Sequence, residues 1–392
     1  MYIFKTKEMK VPLKVFSKEN SIEEQCIEQM KRVSSLPFLY HHTALMPDGH
    51  LGKGASIGSV IATKNVIIPH LIGSDIGCGL SAVKTSLTEI DTETLKKIMG
   101  EIRKVVPVGF SHQKEKQNED LIPTGNNIPE EGVVLKEWNK VLTQIGTLGG
   151  GNHFIEIQKG SDGHIWIMIH SGSRNLGLKI ANYYNQLAVK LNEKWHSSVP
   201  KSWELAYLPI DSKEGQDYLG EMKYAVDFAL ANRKLMMERI QLVVRDQFNF
   251  EMGMESMINI AHNYASLENC FGENVWVHRK GATKATQGLT GIIPGSMGSK
   301  SYIVEGLGNP ESFNSCSHGA GRLMSRTKAK SELSLKEEIK ILDDQGIIHG
   351  IRNKGDLDEA PSAYKDIKGV MENQKDLVNI KVELSPLAVI KG

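Results

Sequence analysis

Glycine-rich segments of the chain carry several of its most reactive side chains. Residues 46–54 contain Asp48, and residues 73–79 contain Asp75 and Cys78. Glycine lets backbone amides approach a ligand closely, and chemistry is often placed on such loops. A carboxylate and a thiol on one glycine loop can both turn towards one cation. An Asx turn beside a buried cysteine explains the same pair without a ligand, so both interpretations stay open.

Three histidines stand beside glycine or at the end of a predicted strand. They are His153, His170 and His262. Each alone is more often a simple hydrogen-bonding residue, but with Asp75 and Cys78 they form a mixed set of oxygen, sulfur and nitrogen donors. Zinc fingers need paired cysteines, which this sequence lacks. Carboxylate and imidazole suit Mn(II), a thiolate favours zinc or iron, and one thiolate can bridge two metals, so the metal stays open.

Two further glycine segments, residues 294–298 and 316–322, could bind an anion or a phosphorylated substrate. The first lacks the spacing of the Walker phosphate loop, but its backbone amides could form an anion-binding nest. His318 lies in the second segment between small residues, so its imidazole would be accessible. This position suits a nucleophile or an acid–base group. The alternative is a histidine packed in a tight turn.

The elements that must position these residues follow from the spacing of apolar side chains. The sequence predicts strands over 80–86, 153–158, 164–170, 274–278 and 301–306, a hairpin over 56–69, and helices over 91–106, 176–197, 215–247 and near 319–331. Residues 110–137 are predicted to be a surface loop. We therefore expect an α+β fold, a single large domain over residues 1–392 with mixed and antiparallel sheets and a helical insertion over about 176–250.

Two local patterns give finer expectations. Strand alternation directs His153 and Ile155 to one face, and Asn152, Phe154 and Glu156 to the other. Near the end of the sequence, apolar residues at 382, 384, 387 and 389 predict a docked strand or packed tail rather than a solvated one.

Composition excludes several classes of protein. The net charge of +1 argues against binding polyanions over the whole surface, so any nucleic-acid contact must come from a local patch. No apolar run is long enough to span a bilayer, and the first residues do not resemble a secretion signal. Four cysteines are too few for a disulfide framework in 392 residues and indicate reduced thiols. We expect a cytoplasmic protein with no membrane contact.

Ten short strings, in order from about residue 36 to residue 392, resemble the RtcB family of RNA-splicing ligases. They are MPDGHLGKG, GSDIGCG, GGGNHFIE, HSGSR, HNY, KGA, PGSMG, CSHGAGR, RTKAK and AYKDI. Two positions depart from the family pattern: Gly49 replaces a bulkier residue, and the third string begins GGG where GTG is common. Neither change removes a functional group.

The resemblance implies an enzyme that joins RNA ends bearing a 3′-phosphate or 2′,3′-cyclic phosphate to 5′-hydroxyl ends. It implies GTP as co-substrate, two Mn²⁺ ions per subunit and a guanylate carried on a histidine, in tRNA splicing or RNA repair. Carried over by motif, the metal ligands are Asp75, Cys78, His153, His170 and His262, with Cys78 as the bridge. His318 is the nucleophile, and Asp48 orients it.

The same resemblance implies how the nucleotide is held. Phosphates would contact Asn152, Arg174 and Ser296, and guanine would contact Glu156, Tyr364 and Lys391, with the tyrosine stacking on the base. Met297, Gly319 and Arg322 complete the implied nucleotide-binding set. Candidate RNA-binding cations are Lys53, Arg279, Lys280 and Arg326. We expect a monomer, while the need for an activating protein and the RNA served stay open.

The sequence bears differently on four other functions. A metal-dependent phosphoesterase that only opens cyclic phosphates would need the metal ligands but not His318 or a guanine pocket. A two-histidine phosphodiesterase is weakly suggested by His41-x-Thr43 and His196-x-Ser198, a short pattern consistent with chance. A non-catalytic RNA-binding protein fits poorly with near-zero net charge and a full ligand set. Lysine-based ligases are excluded because their Lys-x-Asp/Asn-Gly string is missing.

Overall fold

The computed structural model describes residues 1–125 and 127–392. Its α-helices are α1 (Glu24–Val33), α2 (Thr92–Val105), α3 (Val133–Lys136), α4 (Trp138–Gln144), α5 (Asn175–Lys194), α6 (Lys213–Phe248), α7 (Arg326–Glu332), α8 (Leu335–Asp343) and α9 (Ile367–Glu372). Short 3-10 turns lie at Pro69–Leu71, Glu119–Leu121, Lys201–Trp203, Met254–Ser256, Pro310–Ser312, Lys354–Glu359 and Pro361–Ala363.

The strands fall into two large sheets and two short pairs. They are β1 (Tyr2–Phe4), β2 (Leu13–Val15), β3 (Leu39–His50), β4 (Ile57–Thr63), β5 (Val66–Ile67), β6 (Gly79–Lys84), β7 (Phe154–Gly160), β8 (Ile165–Ser171), β9 (Leu208–Pro209), β10 (Ile258–Ala261), β11 (Asn263–Cys270), β12 (Glu273–Lys280), β13 (Ala282–Lys284), β14 (Thr290–Ile293), β15 (Ser301–Gly306), β16 (Ser315–Ser317) and β17 (Val378–Lys391).

Within the described residues, one large sheet is mixed and the other antiparallel. The six-stranded sheet has the order β1-β2-β3-β4-β12-β11, and its β2 and β3 run parallel. The seven-stranded sheet has the order β10-β6-β8-β7-β17-β15-β14 and is antiparallel throughout. The short pairs are β13-β16 and β5-β9. The α+β fold expected from the sequence is confirmed.

Apolar cores cover both faces of the seven-stranded sheet. On one face, Ile98 of α2 and Met236 of α6 share a buried core with Ile167 of β8. On the other, Met168 of β8 shares a second core with Leu342 of α8. Because both faces are covered, β8 is apolar almost without interruption, which is why it reads as a continuous apolar run in the sequence.

Capping residues explain where two predicted helices begin. The side chain of Asp91 accepts hydrogen bonds from the backbone N–H groups of Glu93 and Thr94, and α2 follows directly. Ser212 caps α6 in the same way by accepting from the N–H of Gly215. Such side chains replace the intrahelical partners that the first N–H groups lack. The long helices predicted over 176–247 are confirmed as α5 and α6.

Three predicted elements are corrected. The expected hairpin over 56–69 is wrong, because β4 pairs with β3 and β12 while β5 pairs with β9. The helix expected near 319–331 begins only at Arg326, where Ser325 provides the cap. The expected surface loop over 110–137 contains α3, whose Val133 and Val134 are buried; Asn126, within that range, lies outside the described residues.

The apolar residues near 382–389 dock as predicted. They belong to β17, which pairs with β7 on one side and β15 on the other. Among the described helices, none combines the length and apolar character required to cross a bilayer.

Candidate active site

Both large sheets contribute to a cavity of about 890 Å³. It brings together most of the site residues expected from the sequence, namely Asp75, Cys78, Asn152, His153, Glu156, His170, His262, Ser296, Met297, His318, Gly319, Arg322, Tyr364 and Lys391. Asp48 is fully buried behind His318, and Arg174 is half-buried behind the 146–153 loop. The volume is in the range of ligand-binding cavities.

Five of these residues form two overlapping groups of metal-type donors. Asp75, Cys78 and His153 form one group. Cys78, His170 and His262 form the other, and in each group the donor atoms lie within 4.8 Å of one another. Cys78 is therefore common to both groups. Its Sγ lies 3.3 Å from Nε2 of His170 and 3.6 Å from Nε2 of His153.

The backbone fixes which ring nitrogens face the cavity. Nδ1 of His153 donates to the carbonyl of Leu148, and Nδ1 of His170 donates to the carbonyl of Asn152, both at 3.0 Å. A carbonyl only accepts, so both Nδ1 atoms carry the proton. In the neutral ring of His170, Nε2 then presents its lone pair towards Cys78, while Nε2 of His153 lies 3.0 Å from Oδ2 of Asp75. A histidine that binds a metal through Nε2 needs its proton on Nδ1.

Close strand packing positions Cys78 itself. Gly79, the first residue of β6, pairs with Ser171 of β8 and Ala261 of β10. A Cβ at Gly79 would lie only 1.9 Å from the carbonyl oxygen of Ile260, so only glycine lets the strands approach this closely. The approach sets Cys78 beside both His170 and His262.

The donor set fits a cation. Oδ1 of Asp75 and Nδ1 of His262 are buried without a hydrogen-bond partner, which is costly unless something binds them. Burial lowers the pKa of His170 and His262 well below 6.5, so both imidazoles are neutral at pH 7 and able to bind a metal. Burial, reinforced by Asp75, raises the pKa of Cys78, so a thiolate there needs a positive partner.

His318 stands next to the donor groups and is held by Asp48. The ring centroids of His318 and His262 are 4.9 Å apart. Nδ1 of His318 lies 2.6 Å from Oδ2 of Asp48. At Gly281 an added Cβ would lie 3.1 Å from Cε1 of His318, and the φ of +61° also favours glycine, so the lack of a side chain there leaves room for the ring. The imidazole is thus oriented by Asp48.

The residues expected to contact guanine lie on β7, β17 and the segment before α9. In the β7–β17 register Glu156 is opposite Val389, so Lys391, two residues on, is its diagonal neighbour on the same face. Burial raises the pKa of Glu156 to about 8, although Lys391 opposes the shift. Gln158 donates to Glu156 at 2.6 Å. The strand alternation expected from the sequence holds from Phe154 onwards, but His153 precedes β7 and also faces the cavity.

Glu359 is a functional candidate that the sequence analysis missed. Its buried carboxylate lies 3.1 Å from Arg322, 2.8 Å from Arg326 and 3.9 Å from Lys391, and the Tyr364 hydroxyl donates to it. Burial would raise its pKa, but Lys391 and the arginines outweigh this and lower it. The carboxylate of Glu359 is therefore the anion with which Arg322, Arg326 and Lys391 all pair. In the sequence it looks like one more residue of an acidic surface run.

Helix α6 contributes two buried residues that tie the donor-bearing loops together. Arg233 donates to the carbonyls of Gly77 and Ser171, next to Cys78 and His170, at 3.0 and 2.8 Å. Asn232 binds Gly146, Thr147 and Gly172. The signal was present in the sequence, because Arg233 occupies a core position in the run Ala229, Arg233, Met236, Ile240.

Two groups expected to bind phosphate have protein partners in the structure. Arg174 donates to Thr147 Oγ1 at 2.9 Å and to the Gly109 carbonyl at 3.4 Å, behind the cavity wall. In the expected anion nest, the amides of Gly295 and Ser296 are engaged by the hydroxyls of Ser301 and Ser299.

The four candidate RNA-binding cations differ in whether they can reach a ligand. Arg279 is fully buried against Glu268, at 2.5 Å, and cannot meet RNA. Lys53, Lys280 and Arg326 line the cavity. Burial lowers the pKa of Lys280 to about 7.

Comparison with known proteins agrees with this arrangement. A family model described as tRNA-splicing ligase RtcB matches residues 29–133 and 124–392. The chain is 41% identical to the RNA-splicing ligase RtcB of Escherichia coli K12, over 97% of each chain. It is 34% identical to the tRNA-splicing ligase RtcB of Nanoarchaeum equitans and 31% identical to that of Thermococcus kodakarensis, each over 98% of this chain and 96% of the relative. The chain belongs to the tRNA-splicing ligase RtcB family.

Proposed function

We propose that the protein is an RNA ligase that joins 3′-phosphate or 2′,3′-cyclic phosphate ends to 5′-hydroxyl ends, using GTP and a guanylate carried on His318. The observation that carries this proposal is the position of His318, paired with Asp48 and in ring contact with His262 of the donor groups. Its relatives are named as RNA-splicing and tRNA-splicing ligases, which supports RNA as the substrate.

His318 has the properties of a phosphate-accepting nucleophile. Its Nδ1–H donates to Asp48, which leaves the lone pair on Nε2 available. Attack of Nε2 on the α-phosphorus of GTP forms a phosphorus–nitrogen bond and breaks the bond to pyrophosphate. The RNA 3′-phosphate then attacks the guanylate and releases His318. The 5′-hydroxyl finally attacks the activated end, which forms the new phosphodiester and expels GMP.

Asp75, Cys78, His153, His170 and His262 would hold two Mn²⁺ ions, with Cys78 as the common ligand. Bound ions would neutralise phosphate charge as a Lewis acid does. Carboxylate and imidazole donors suit manganese, and the five donors fall into two groups that share Cys78. Around the nucleotide, we assign phosphate contacts to Asn152, Ser296 and Arg174. Arg174 would have to leave its bonds to Thr147 and Gly109 for that role.

Glu156, Tyr364 and Lys391 would recognise guanine, with Met297, Gly319 and Arg322 beside them. Lysine only donates hydrogen bonds, so Lys391 would address the O6 acceptor of guanine, where adenine carries an amine. Glu156, ionised once guanine is bound, would accept from N1–H and the 2-amino group. Together these two side chains would favour GTP over ATP. A cytoplasmic monomer consisting of one ligase domain stays a prediction.

The test is a labelled-GTP adduct assay followed by ligation. With Mn²⁺ and [α-³²P]GTP the native protein should become labelled, and it should then join a 3′-phosphate RNA to a 5′-hydroxyl RNA. His318→Ala should lose both activities while remaining folded. His164→Ala, at the turn between β7 and β8, is the matched control. Opening of a cyclic phosphate without any protein adduct would favour the phosphoesterase alternative and overturn the ligase.

A further inference from the structure

The cavity extends beyond the residues assigned to the nucleotide, and the extension runs along α5. Leu178, Asn182 and Asn185 of α5 line it there, and Lys53 and Lys280 line the same cavity. We infer that this extension, here called the α5 arm, binds the single-stranded RNA end that reacts at His318. The inference rests on the proposed ligase function and adds the surface that holds its second substrate.

The α5 arm is distinct from the nucleotide side but continuous with it. On the nucleotide side, Phe154 of β7 lies against His170, with ring centroids 5.4 Å apart. On the α5 side, Lys280 donates to the carbonyls of Lys53 and His70, and α5 packs against the turn that carries His70. The donor groups and His318 line the same cavity as both parts. A guanylate on one side leaves the other for the strand that attacks it.

The helix presents one regular face to the arm. Positions 178, 181, 182 and 185 follow the spacing of a single helix face, and all four line the cavity. The start of α5 is fixed next to Asp75, because the Ser173 hydroxyl donates to the carbonyl of Ile76 at 2.5 Å. The helix also packs against the turn Pro69–Leu71, which carries His70. The face is thus held rigidly beside the donor groups.

The chemistry of this face suits a nucleotide chain. Leu178 is 42% exposed although it lines a cavity, so it offers an apolar surface to a base. The amides of Asn182 and Asn185 can both donate and accept, as sugar hydroxyls and base edges require. Lys53, which lines the same cavity, offers positive charge to phosphate, while the buried amine of Lys280 donates to the backbone carbonyls of Lys53 and His70. Glu23 adds one carboxylate to the same wall.

Single-stranded RNA fits this combination better than a protein partner. Sequence-tolerant binding of single strands combines cations for the backbone with apolar or aromatic surfaces for the bases. The arm also opens directly onto the reacting groups, where the RNA terminus must arrive. A protein docking here would block the strand from His318.

The experiment measures RNA binding without turnover. A short 3′-phosphate RNA labelled at its 5′ end is titrated with Mn²⁺-loaded protein in the absence of GTP, and fluorescence anisotropy gives the Kd. Asn182→Ala and Asn185→Ala should each weaken binding about fivefold, the effect of one lost hydrogen bond. Gln186→Ala, an exposed amide on the same helix outside the cavity wall, is the matched control and should bind as the native protein does.

The outcomes separate this inference from the proposed function. Suppose the native protein forms the GTP adduct and both asparagine variants bind the RNA as tightly as Gln186→Ala. The RNA-binding role of the α5 arm is then wrong, and the proposed ligase function is unaffected. If the native protein forms no adduct, the proposed ligase function is wrong, whatever the RNA-binding result. If Gln186→Ala weakens binding as much as Asn182→Ala does, the effect belongs to the helix as a whole and the inference is overturned.

Discussion

One carboxylate oxygen of Asp48 fixes both the ring and the backbone of His318. Oδ2 lies 2.6 Å from Nδ1 of His318 and accepts the backbone N–H groups of His318 and Gly319 at 3.0 and 3.3 Å. Burial would raise the pKa of Asp48, but the charge of His318 and its hydrogen bond outweigh burial and lower that pKa. Asp48 is therefore ionised at neutral pH, and Nδ1 must be the protonated nitrogen.

Asp48→Asn should disrupt this arrangement without unfolding the protein. An amide can donate to Nδ1, which would place the proton on Nε2 and remove the nucleophilic lone pair. We expect the rate of GTP adduct formation to fall at least ~100-fold, as in other enzymes where an aspartate sets a histidine tautomer. Single-turnover labelling measures the rate, and Asp246→Asn, at an exposed position of α6, is the control. A rate equal to that of the control would show that Asp48 does not set the tautomer.

Cys78→Ser should affect both metal positions, because Cys78 belongs to both donor groups. His262→Ala should affect only the group that contains it. We expect bound manganese per protein to fall further in Cys78→Ser than in His262→Ala. Elemental analysis after dialysis measures the ratio of manganese to protein in each variant.

Cys270→Ser is the matched control for Cys78, since Cys270 is also buried and unpaired but lies at the end of β11. It should retain the native metal content. Equal metal content in the Cys78 and His262 variants would rule out a shared thiolate.

Glu359→Gln should weaken GTP binding as well as stability. The change removes the anion shared by Arg322, Arg326 and Lys391. Glu268→Gln is the matched control, because it breaks another buried pair, with Arg279, away from the cavity wall. Both changes should lower the free energy of unfolding by about 2 kcal/mol. Only Glu359→Gln should raise the KM for GTP, measured by adduct formation; a similar KM in both variants would make Glu359 purely structural.

Lys391→Met should impair use of GTP far more than it lowers the melting temperature. The loss of one charge-assisted contact costs roughly 1.5–3 kcal/mol, or about tenfold to a hundredfold in affinity. Lys381→Met lies on the same strand, where the side chain is half exposed and pairs with Glu305. Adduct formation at sub-saturating GTP compares the two. Normal use of GTP by Lys391→Met would refute recognition of guanine by this lysine.

Glu156 should give stability a measurable pH dependence. Burial raises its pKa from 4.5 to about 8 in the folded protein. Between these values the folded state keeps a proton that the unfolded state releases. The stabilisation is complete below about pH 4.5 and is lost as pH rises through about 8, at up to about 1.4 kcal/mol per pH unit. Glu156→Gln cannot titrate, so its melting temperature should fall less over this range. If the melting temperatures of the native protein and the variant fell equally with pH, the raised pKa of Glu156 would be contradicted.

Local patterns in the sequence predict elements whose causes are local. Asp91 caps α2, and the alternation of β7 and the continuous apolar run of β8 reflect the burial of these strands, so all three elements were found. The hairpin over 56–69 was wrong because β4 pairs with the preceding strand β3 and the distant strand β12, while β5 pairs with the distant strand β9. No local pattern encodes the two distant pairings. The helix start at Arg326 was missed because residues 319–325 form the loop beside Asp48 instead.

The site residues also separate into those that a local sequence pattern reveals and those that depend on distant segments. Residues inside glycine strings, such as Cys78 and His318, could be singled out because their local context is unusual. Glu359 could not, since its burial depends on Arg322, Tyr364 and Lys391 arriving from other segments. Arg279 was misjudged for the same reason, because its partner Glu268 lies on the neighbouring strand.

The place of β17 in the seven-stranded sheet has a consequence for synthesis on the ribosome. β7 and β15 are made well before β17, yet each needs β17 as its neighbour. Until residues 378–391 emerge, both strands present unpaired edges that invite aggregation, and nascent chains would depend on chaperones to shield them. Glu156 likewise waits for Lys391, so the part of the cavity wall that these two residues share can form only after residue 391 has emerged.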